Sequence, residues 1–224
     1  MAELPARDDP LSAAVAKAAA VYTPFTLSFY DAIVHGLSNR FAWRCPTQKL
    51  VELYASNLSA NHLEAGVGTG LFIDRVADAA LERLVLLDIN GSCLARAGRR
   101  LARFAPETWQ ANLLEPLNTN IAPFDSVALT YVLHCLPGRL EEKLKVVDHL
   151  RPVMRDQAVL FGATIIGRGI DPSPAAKKLL AFYNAKGIFN NEADDQAALE
   201  DGLRHRFQSV KMERQGCVAL FRAR

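Results

Sequence analysis

The residues best placed to do chemistry lie in the segment Leu63-Glu-Ala-Gly-Val-Gly-Thr-Gly70. Gly66, Gly68 and Gly70 alternate, and Glu64 stands two residues before the first of them. Glycines at this spacing allow a tight turn and let a ligand approach the backbone closely. Between a strand and a helix of an open α/β sheet, such a turn lies outside the carboxyl ends of the strands, where ligands bind. A helix starting near Thr69 offers free N–H groups to a carboxylate or an ordered water. A dinucleotide fingerprint reads G-x-G-x-x-G, but here Leu71 occupies the place of its third glycine. A pyrophosphate would also be repelled by Glu64, whereas a cationic ammonium or sulfonium tolerates it. The next apolar run ends in Leu86-Leu-Asp88-Ile89-Asn90, and an acid at that strand end can accept hydrogen bonds from both hydroxyls of a ribose.

Other reactive side chains are scattered. His134 follows the fourth apolar run and is a candidate general base pointing toward a cleft. His62 enters the first strand and reads as structural. His35 is a weaker candidate, and His149 and His205 read as helix-surface residues. Asp125 begins a strand and reads as tying a loop. No set of His, Asp and Glu has metal-ligand spacing, so no metal is expected. The four cysteines, Cys45, Cys93, Cys135 and Cys217, form no C-x-x-C pair, which argues against a disulfide framework and a structural zinc site.

The elements that must position these residues alternate along the chain. Leu50, Leu53, Tyr54 and Leu58 have helical spacing, and residues 62–65 form a short strand ending in glycines. Phe72, Ile73, Val76 and Ala80 share a helical face. Residues 84–89 make a strand closed by the turn signal Asn90-Gly91. Leu94, Ala97, Leu101 and Ala105 again have helical spacing. Residues 127–133 form a buried strand, Leu140, Leu144, Val147 and Leu150 a helix, and residues 158–166 a fifth strand. This alternation predicts a parallel sheet with helices on both faces and right-handed crossovers. Residues 206–212 and 217–221, separated by Glu213-Arg-Gln-Gly216, predict a closing hairpin with an antiparallel strand.

With these residues in place, the chain from about Asn61 onward resembles the class I S-adenosylmethionine-dependent methyltransferases. Glu64-Ala-Gly66-Val-Gly68-Thr-Gly70 looks like the family's first motif, and Asp88 matches its ribose acid. Trp109-Gln-Ala-Asn112-Leu113 resembles the third-strand motif, where Asn112 replaces the more usual Asp and its amide can still accept from an adenine amino group. Phe124-Asp-Ser-Val-Ala-Leu-Thr-Tyr131-Val-Leu-His134 resembles the fourth-strand motif. The resemblance implies an α/β, Rossmann-like, doubly wound and mostly parallel seven-stranded sheet with an antiparallel C-terminal strand. It implies S-adenosylmethionine as cofactor, held by Glu64, Gly66, Gly68, Gly70, Asp88, Ile89, Asn112, Leu113 and Tyr131, with His134 as the catalytic candidate. In that family the segment before the first motif covers the cofactor. Tyr22, Trp43 and Arg44 are therefore expected beside it, Arg44 as a partner for the methionine carboxylate. Ordinary core packing and a surface ion pair are the competing readings of these three. The insertion over residues 172–191, with Phe182, Tyr183 and Phe189, is expected near the methyl acceptor.

Bulk properties narrow the partners. The chain of 224 residues carries 26 Lys plus Arg against 24 Asp plus Glu, so it has no general attraction for nucleic acid or anionic lipid. Arg96, Arg99, Arg100 and Arg103 read as a solvated face opposite Leu94, Ala97 and Leu101. No basic leader precedes an apolar core, and no apolar run spans a membrane. The expected organisation is a tail over residues 1–20 and one methyltransferase domain over 21–224, with a helical lid over about 21–60. The expected protein is a cytoplasmic enzyme with reduced thiols and a small-molecule substrate, its oligomeric state open. A methyltransferase-like binding module without catalysis and a nucleotide-dependent oxidoreductase stand as alternatives.

Overall fold

The computed structural model describes residues 38–224. The expected tail and the first part of the lid, Tyr22 and His35 included, lie outside these residues. Seven strands form one sheet: β1 (Asn61–Ala65), β2 (Arg83–Asp88), β3 (Glu107–Gln110), β4 (Phe124–Thr130), β5 (Met154–Ile165), β6 (Val210–Gln215) and β7 (Val218–Ala223). Their spatial order is β3-β2-β1-β4-β5-β7-β6. Strands β1 to β5 pair in parallel, and β7 runs antiparallel between β5 and β6. The sheet is thus doubly wound, with its order reversing at β1 and β4.

The central strands are apolar without alternation because both of their faces are covered. Leu84, Val85, Leu86 and Leu87 of β2 are all buried, as are Val127, Ala128 and Leu129 of β4. Two hydrophobic clusters result, one on each face. The first gathers α4 (Leu140–Lys143), α5 (Lys145–Leu150) and α7 (Gln196–Arg204). The second gathers α1 (Thr47–Ala55), α2 (Leu71–Val76), α3 (Gly91–Arg100) and α6 (Pro174–Ala185). Helix starts are set locally. The side chains of Asn90, Ser173 and Asp195 accept from the amides of Ser92, Ala176 and Ala198, capping α3, α6 and α7, and Pro174 opens α6, where a missing N–H costs nothing.

Several boundaries differ from the sequence expectation. Helix α2 ends at Val76 because Ala77 turns extended, so Ala80 lies beyond it. Helix α3 ends at Arg100, and a 3-10 turn over Ala102–Phe104 leads to Ala105 at φ 45°. Strand β4 starts at Phe124 and ends at Thr130, with Leu133 in the following 3-10 turn. The expected helix over residues 140–150 is two short helices. The hairpin turns at Gly216, three residues after Glu213. The described part of the expected lid is packed into the fold: Leu50 and Tyr54 of α1 are fully buried against the sheet.

Candidate active site

A cleft of about 140 Å³ opens at the carboxyl ends of β1, β2 and β4, next to the point where the strand order reverses. That is the site open α/β sheets offer to ligands. Its lining includes Glu64, Gly66, Gly68, Asp88, Ile89, Asn112, Leu113 and Tyr131. Eight of the residues singled out in the sequence therefore converge on one cleft.

The glycine loop is shaped by positive φ at Gly66, Gly68 and Gly70, 79°, 53° and 73°. The amides of Gly66 and Val67 both donate to the Leu87 carbonyl, at 2.7 and 3.3 Å. A Cβ at Gly66 would run into Cγ2 of Val132, so only glycine lets the turn after β4 close against the loop. A Cβ at Gly68 would meet nothing within 4 Å; it would stand in open cleft, where a bound molecule has room to approach the backbone. Gly70 does not line the cleft. It caps α2 and lies close to Leu101 and Ala97 of the neighbouring helix.

Asp88 closes β2 with its carboxylate in the cleft. Its Oδ2 accepts from the Gly68 amide at 3.2 Å and its Oδ1 from the Asn90 amide at 2.9 Å. Burial pushes this carboxyl above the usual carboxylate range, and the amides of Asn90, Gly68 and Ile89 oppose the shift. An acid so held keeps lone pairs for two further hydroxyl donors. Asn112 forms a local turn, its Oδ1 accepting from the Leu114 amide at 3.0 Å. Its Nδ2 donates to Glu115 at 3.3 Å.

Glu64 is buried at the base of the cleft. Its Oε1 accepts from the Tyr54 hydroxyl at 2.6 Å, and its Oε2 lies 3.1 Å from His62 Nε2. Burial, then the neighbouring Glu64 charge, holds the Tyr54 hydroxyl far above its usual range, so it remains a donor. Tyr131 has φ 61°, a left-handed conformation that costs a bulky residue of order 1–3 kcal/mol. Its amide donates to the Ala163 carbonyl at 2.7 Å, and its hydroxyl donates to Asn39 Oδ1 at 3.0 Å. Together these fix the ring at the cleft wall.

Three sequence candidates are set back from the cleft. Trp43 is buried, its ring 6.1 Å from that of Phe189, because its carbonyl receives the Cys217 amide and joins the segment to the β6–β7 turn. Arg44, next to it at φ 53°, has its carbonyl bonded by Gln215, so the backbone of both residues serves the hairpin. His134 does not reach the cleft either. Its ring is buried, 4.5 Å from Phe189, and its Nδ1 accepts from the Ile165 amide at 3.4 Å. Burial, with the nearby Lys143 charge, lowers its pKa to about 3. A neutral imidazole whose Nδ1 lone pair faces a backbone amide has no geometry for taking a substrate proton there.

Three readings of lesser residues also change. His149, expected on a helix surface, has Nδ1 bonded to the Leu113 carbonyl at 3.0 Å. Arg100 and Arg103, read as a solvated stripe, hold Thr69 and Asp74. Asp125 receives Arg155 of β5 at 3.0 Å. Residues that sequence reasoning missed include Tyr54, which holds Glu64, and the cleft-lining Cys93, Val132 and Leu136. Nothing in their spacing separates them from ordinary core positions.

The comparisons with known proteins agree with this geometry. Residues 63–160 match a family described as a methyltransferase domain. The chain is 36% identical over 203 residues to demethylluteothin O-methyltransferase of Streptomyces thioluteus, covering 90% of this chain and 88% of that protein. It is 34% identical over 206 residues to the physcion biosynthesis cluster O-methyltransferase of Aspergillus chevalieri, covering 91% and 93%. Among solved structures, the fold is shared with a DhpI–SAH complex at a TM-score of 0.67 and 15% identity, covering 94% of this chain and 96% of that one. A cleft built from an E-x-G-x-G-x-G loop, an acid at the end of β2 and a reversed strand order, together with these relatives, identifies the chain as a member of the class I S-adenosylmethionine-dependent methyltransferases.

Proposed function

We propose that this methyltransferase transfers a methyl group to an oxygen of a small aromatic or heterocyclic metabolite. The observation that supports this reading most strongly is the extended similarity to proteins named as O-methyltransferases, which runs over about nine-tenths of both chains. The cleft is consistent with it, since its acceptor side offers Tyr131, Val132 and Leu136, a mostly apolar wall suited to a flat molecule.

S-adenosylmethionine supplies a methyl group already activated on a sulfonium. The chain's own task is to orient, desolvate and compensate charge. In this reading Asp88 receives the ribose hydroxyls, Gly66 and Gly68 admit the amino-acid portion, and Asn112 and Leu113 flank the adenine. Glu64 faces the ammonium. With His134 held neutral in the interior, the acceptor proton leaves to solvent rather than to that ring. Well-aligned reactants gain roughly 7–11 kcal/mol in model systems, so alignment suffices for an acceptor hydroxyl that ionises readily.

The same reading has no nucleic acid partner, in keeping with the near-balanced charge, and takes the enzyme as cytoplasmic, which its four free thiols support. No helix among the described residues is long and apolar enough to cross a membrane. Incubation with methyl-labelled cofactor and a panel of phenols, amines and carboxylic acids, followed by mass spectrometry, tests the proposal. Label on an oxygen of a phenol supports it. Label only on nitrogen or carbon, or none on any acceptor while cofactor still binds, overturns it.

A further inference from the structure

Beneath the glycine loop lies a continuous buried polar chain. His62 and Glu64 are two apart on β1, so their side chains share one face of the sheet. The His62 ring is fully buried and stacked on Phe161 of β5, centroids 5.8 Å apart. Its Nδ1 lies 2.7 Å from Oγ of Ser126 on β4, and its Nε2 lies 3.1 Å from Oε2 of Glu64. Ser126 Oγ accepts from the Ser59 amide at 3.0 Å and sits 2.7 Å from Ser59 Oγ. Ser59 Oγ is in turn 2.9 Å from the Asn61 carbonyl.

Counting protons fixes the direction of each bond. A hydroxyl has one proton and two lone pairs, and a carbonyl can only accept. The Ser59 proton therefore goes to the Asn61 carbonyl, and the Ser126 proton goes to Ser59 Oγ. Ser126 Oγ is left as acceptor for the Ser59 amide and for His62, so Nδ1 of His62 carries a proton. On the other side of Glu64, Tyr54 donates to Oε1. The Nε2–Oε2 contact would then set lone pair against lone pair unless it too contains a proton. That proton satisfies every partner on either atom, but only on Nε2 does it leave both Glu64 oxygens as acceptors.

We propose that His62 is a positioning residue of the cofactor's amino-acid subsite, a two-sided donor anchored by Ser126 that holds Glu64 as an oriented carboxylate for the cofactor's ammonium. The inference rests on the reading of Glu64 given above. The carboxylate has about four acceptor positions, of which Tyr54 and His62 use one on each oxygen. The remainder serve the cleft. No lysine or arginine among the described residues pairs with Glu64. The groups facing His62 are Glu64 on its own strand, Ser126 on β4 and the apolar Phe161 on β5, so its charge is the local compensation for a buried anion.

The test compares two ligands by titration calorimetry on the full chain. S-adenosylhomocysteine carries the amino-acid portion; 5′-methylthioadenosine lacks it. His62→Phe should weaken S-adenosylhomocysteine by about tenfold or more, the scale of a charge-assisted hydrogen bond, and change methylthioadenosine less than about twofold. Ser126→Ala should act in the same direction with smaller size, and His62→Gln, which keeps a donor, should fall between. Equal losses for both ligands would mean a merely structural residue and would overturn the proposal. Glu64→Gln separates the two layers. If it leaves the ligand ratio unchanged, the reading of Glu64 fails and takes this inference with it; if it shifts the ratio and the His62 variants do not, only the inference falls. Should the His62 variants not fold, ¹⁵N-histidine spectra of the unaltered chain still decide. They should contain one ring protonated on both nitrogens at neutral pH, and that signal should be perturbed in Ser126→Ala. Spectra in which every ring is a single neutral tautomer would overturn the proposal.

Discussion

Arg100 reaches from α3 to the glycine loop, its Nη1 donating to both the carbonyl and the hydroxyl of Thr69 at 3.0 Å. The loop between β1 and α2 is therefore pinned from outside by the helix that follows β2. Arg100→Ala should leave the fold in place, since the residue is partly exposed at the end of its helix, and should loosen the loop. Cofactor affinity should fall by roughly three- to tenfold, the scale of one or two hydrogen bonds. Lysine should restore part of the loss, because both bonds come from one nitrogen and an ammonium carries enough protons to make them. Calorimetry with S-adenosylhomocysteine checks both variants.

Asp88 joins the same unit through its bond to the Gly68 amide. Asp88→Ala should lower cofactor affinity at least about tenfold, as expected for lost hydrogen bonds to a charged acceptor, while circular dichroism stays native. Asp88→Asn should lose less, because one oxygen remains. An unchanged dissociation constant in the alanine variant would remove the ribose assignment.

The glycines should separate folding from binding. Gly66→Ala drives a Cβ into Val132 at a backbone angle that disfavours side chains, so its melting temperature should drop by several degrees. Gly68→Val is also strained by its positive φ but meets no neighbour, its branches standing in open cleft, so its loss of cofactor binding should exceed what its loss of melting temperature explains. Thermal melts and dissociation constants measured in parallel would refute this if the two variants changed both quantities alike.

His134 should leave a signature in stability against pH. Its pKa is about 3 in the fold, lowered by burial and by Lys143, against about 6.5 for a free histidine. Below pH 6.5 the unfolded chain binds a proton that the folded chain refuses. Stability is therefore fully present above pH 6.5 and declines as pH falls toward 3, by up to about 1.4 kcal/mol per pH unit for one proton. His134→Gln should flatten the urea-derived stability profile in that window. It should also retain methyl transfer; a large loss of kcat with normal cofactor binding would return a general base to this position.

Lys143 is buried with its Nζ 2.6 Å from both Asp194 Oδ2 and the Asn190 carbonyl. Lys143→Met leaves Asp194 buried and unpaired, so unfolding free energy should fall by about 3–5 kcal/mol. The double variant Lys143→Met with Asp194→Leu should recover a substantial part. Because the Asn190 amide bonds the His134 carbonyl, the single variant should also loosen the loop carrying Phe189, which hydrogen exchange over residues 186–195 can detect.

The parts legible in the sequence were those with local causes. Alternating glycines dictate a turn, and Asp88 at a strand end dictates an acid at the cleft edge. Runs such as Leu84–Leu87 announce strands buried on both faces. Long-range contacts left no such mark. Trp43 is drawn away from the cleft by a backbone bond to Cys217, a residue far along the chain. His62 reads as a core histidine, and only the crossing of β4 and α1 brings Ser126 and Tyr54 to complete its network with Glu64. Tyr22 lies outside the described residues, so its expected place beside the cofactor remains a proposal.

Strand β7 lies between β5 and β6, although it is the last of the seven to leave the ribosome. Six of its residues pair with β5 over Leu160–Ile165, and no earlier strand among the described residues occupies that edge. Throughout synthesis the long fifth strand thus presents an open row of backbone donors and acceptors beside apolar side chains, the arrangement that recruits foreign strands. The nascent chain is at its stickiest just before β7 emerges. A stop near Gly216 would release a chain with most of its core and no means of sealing it, and such a product should partition to aggregates or chaperones rather than survive as a weakened enzyme.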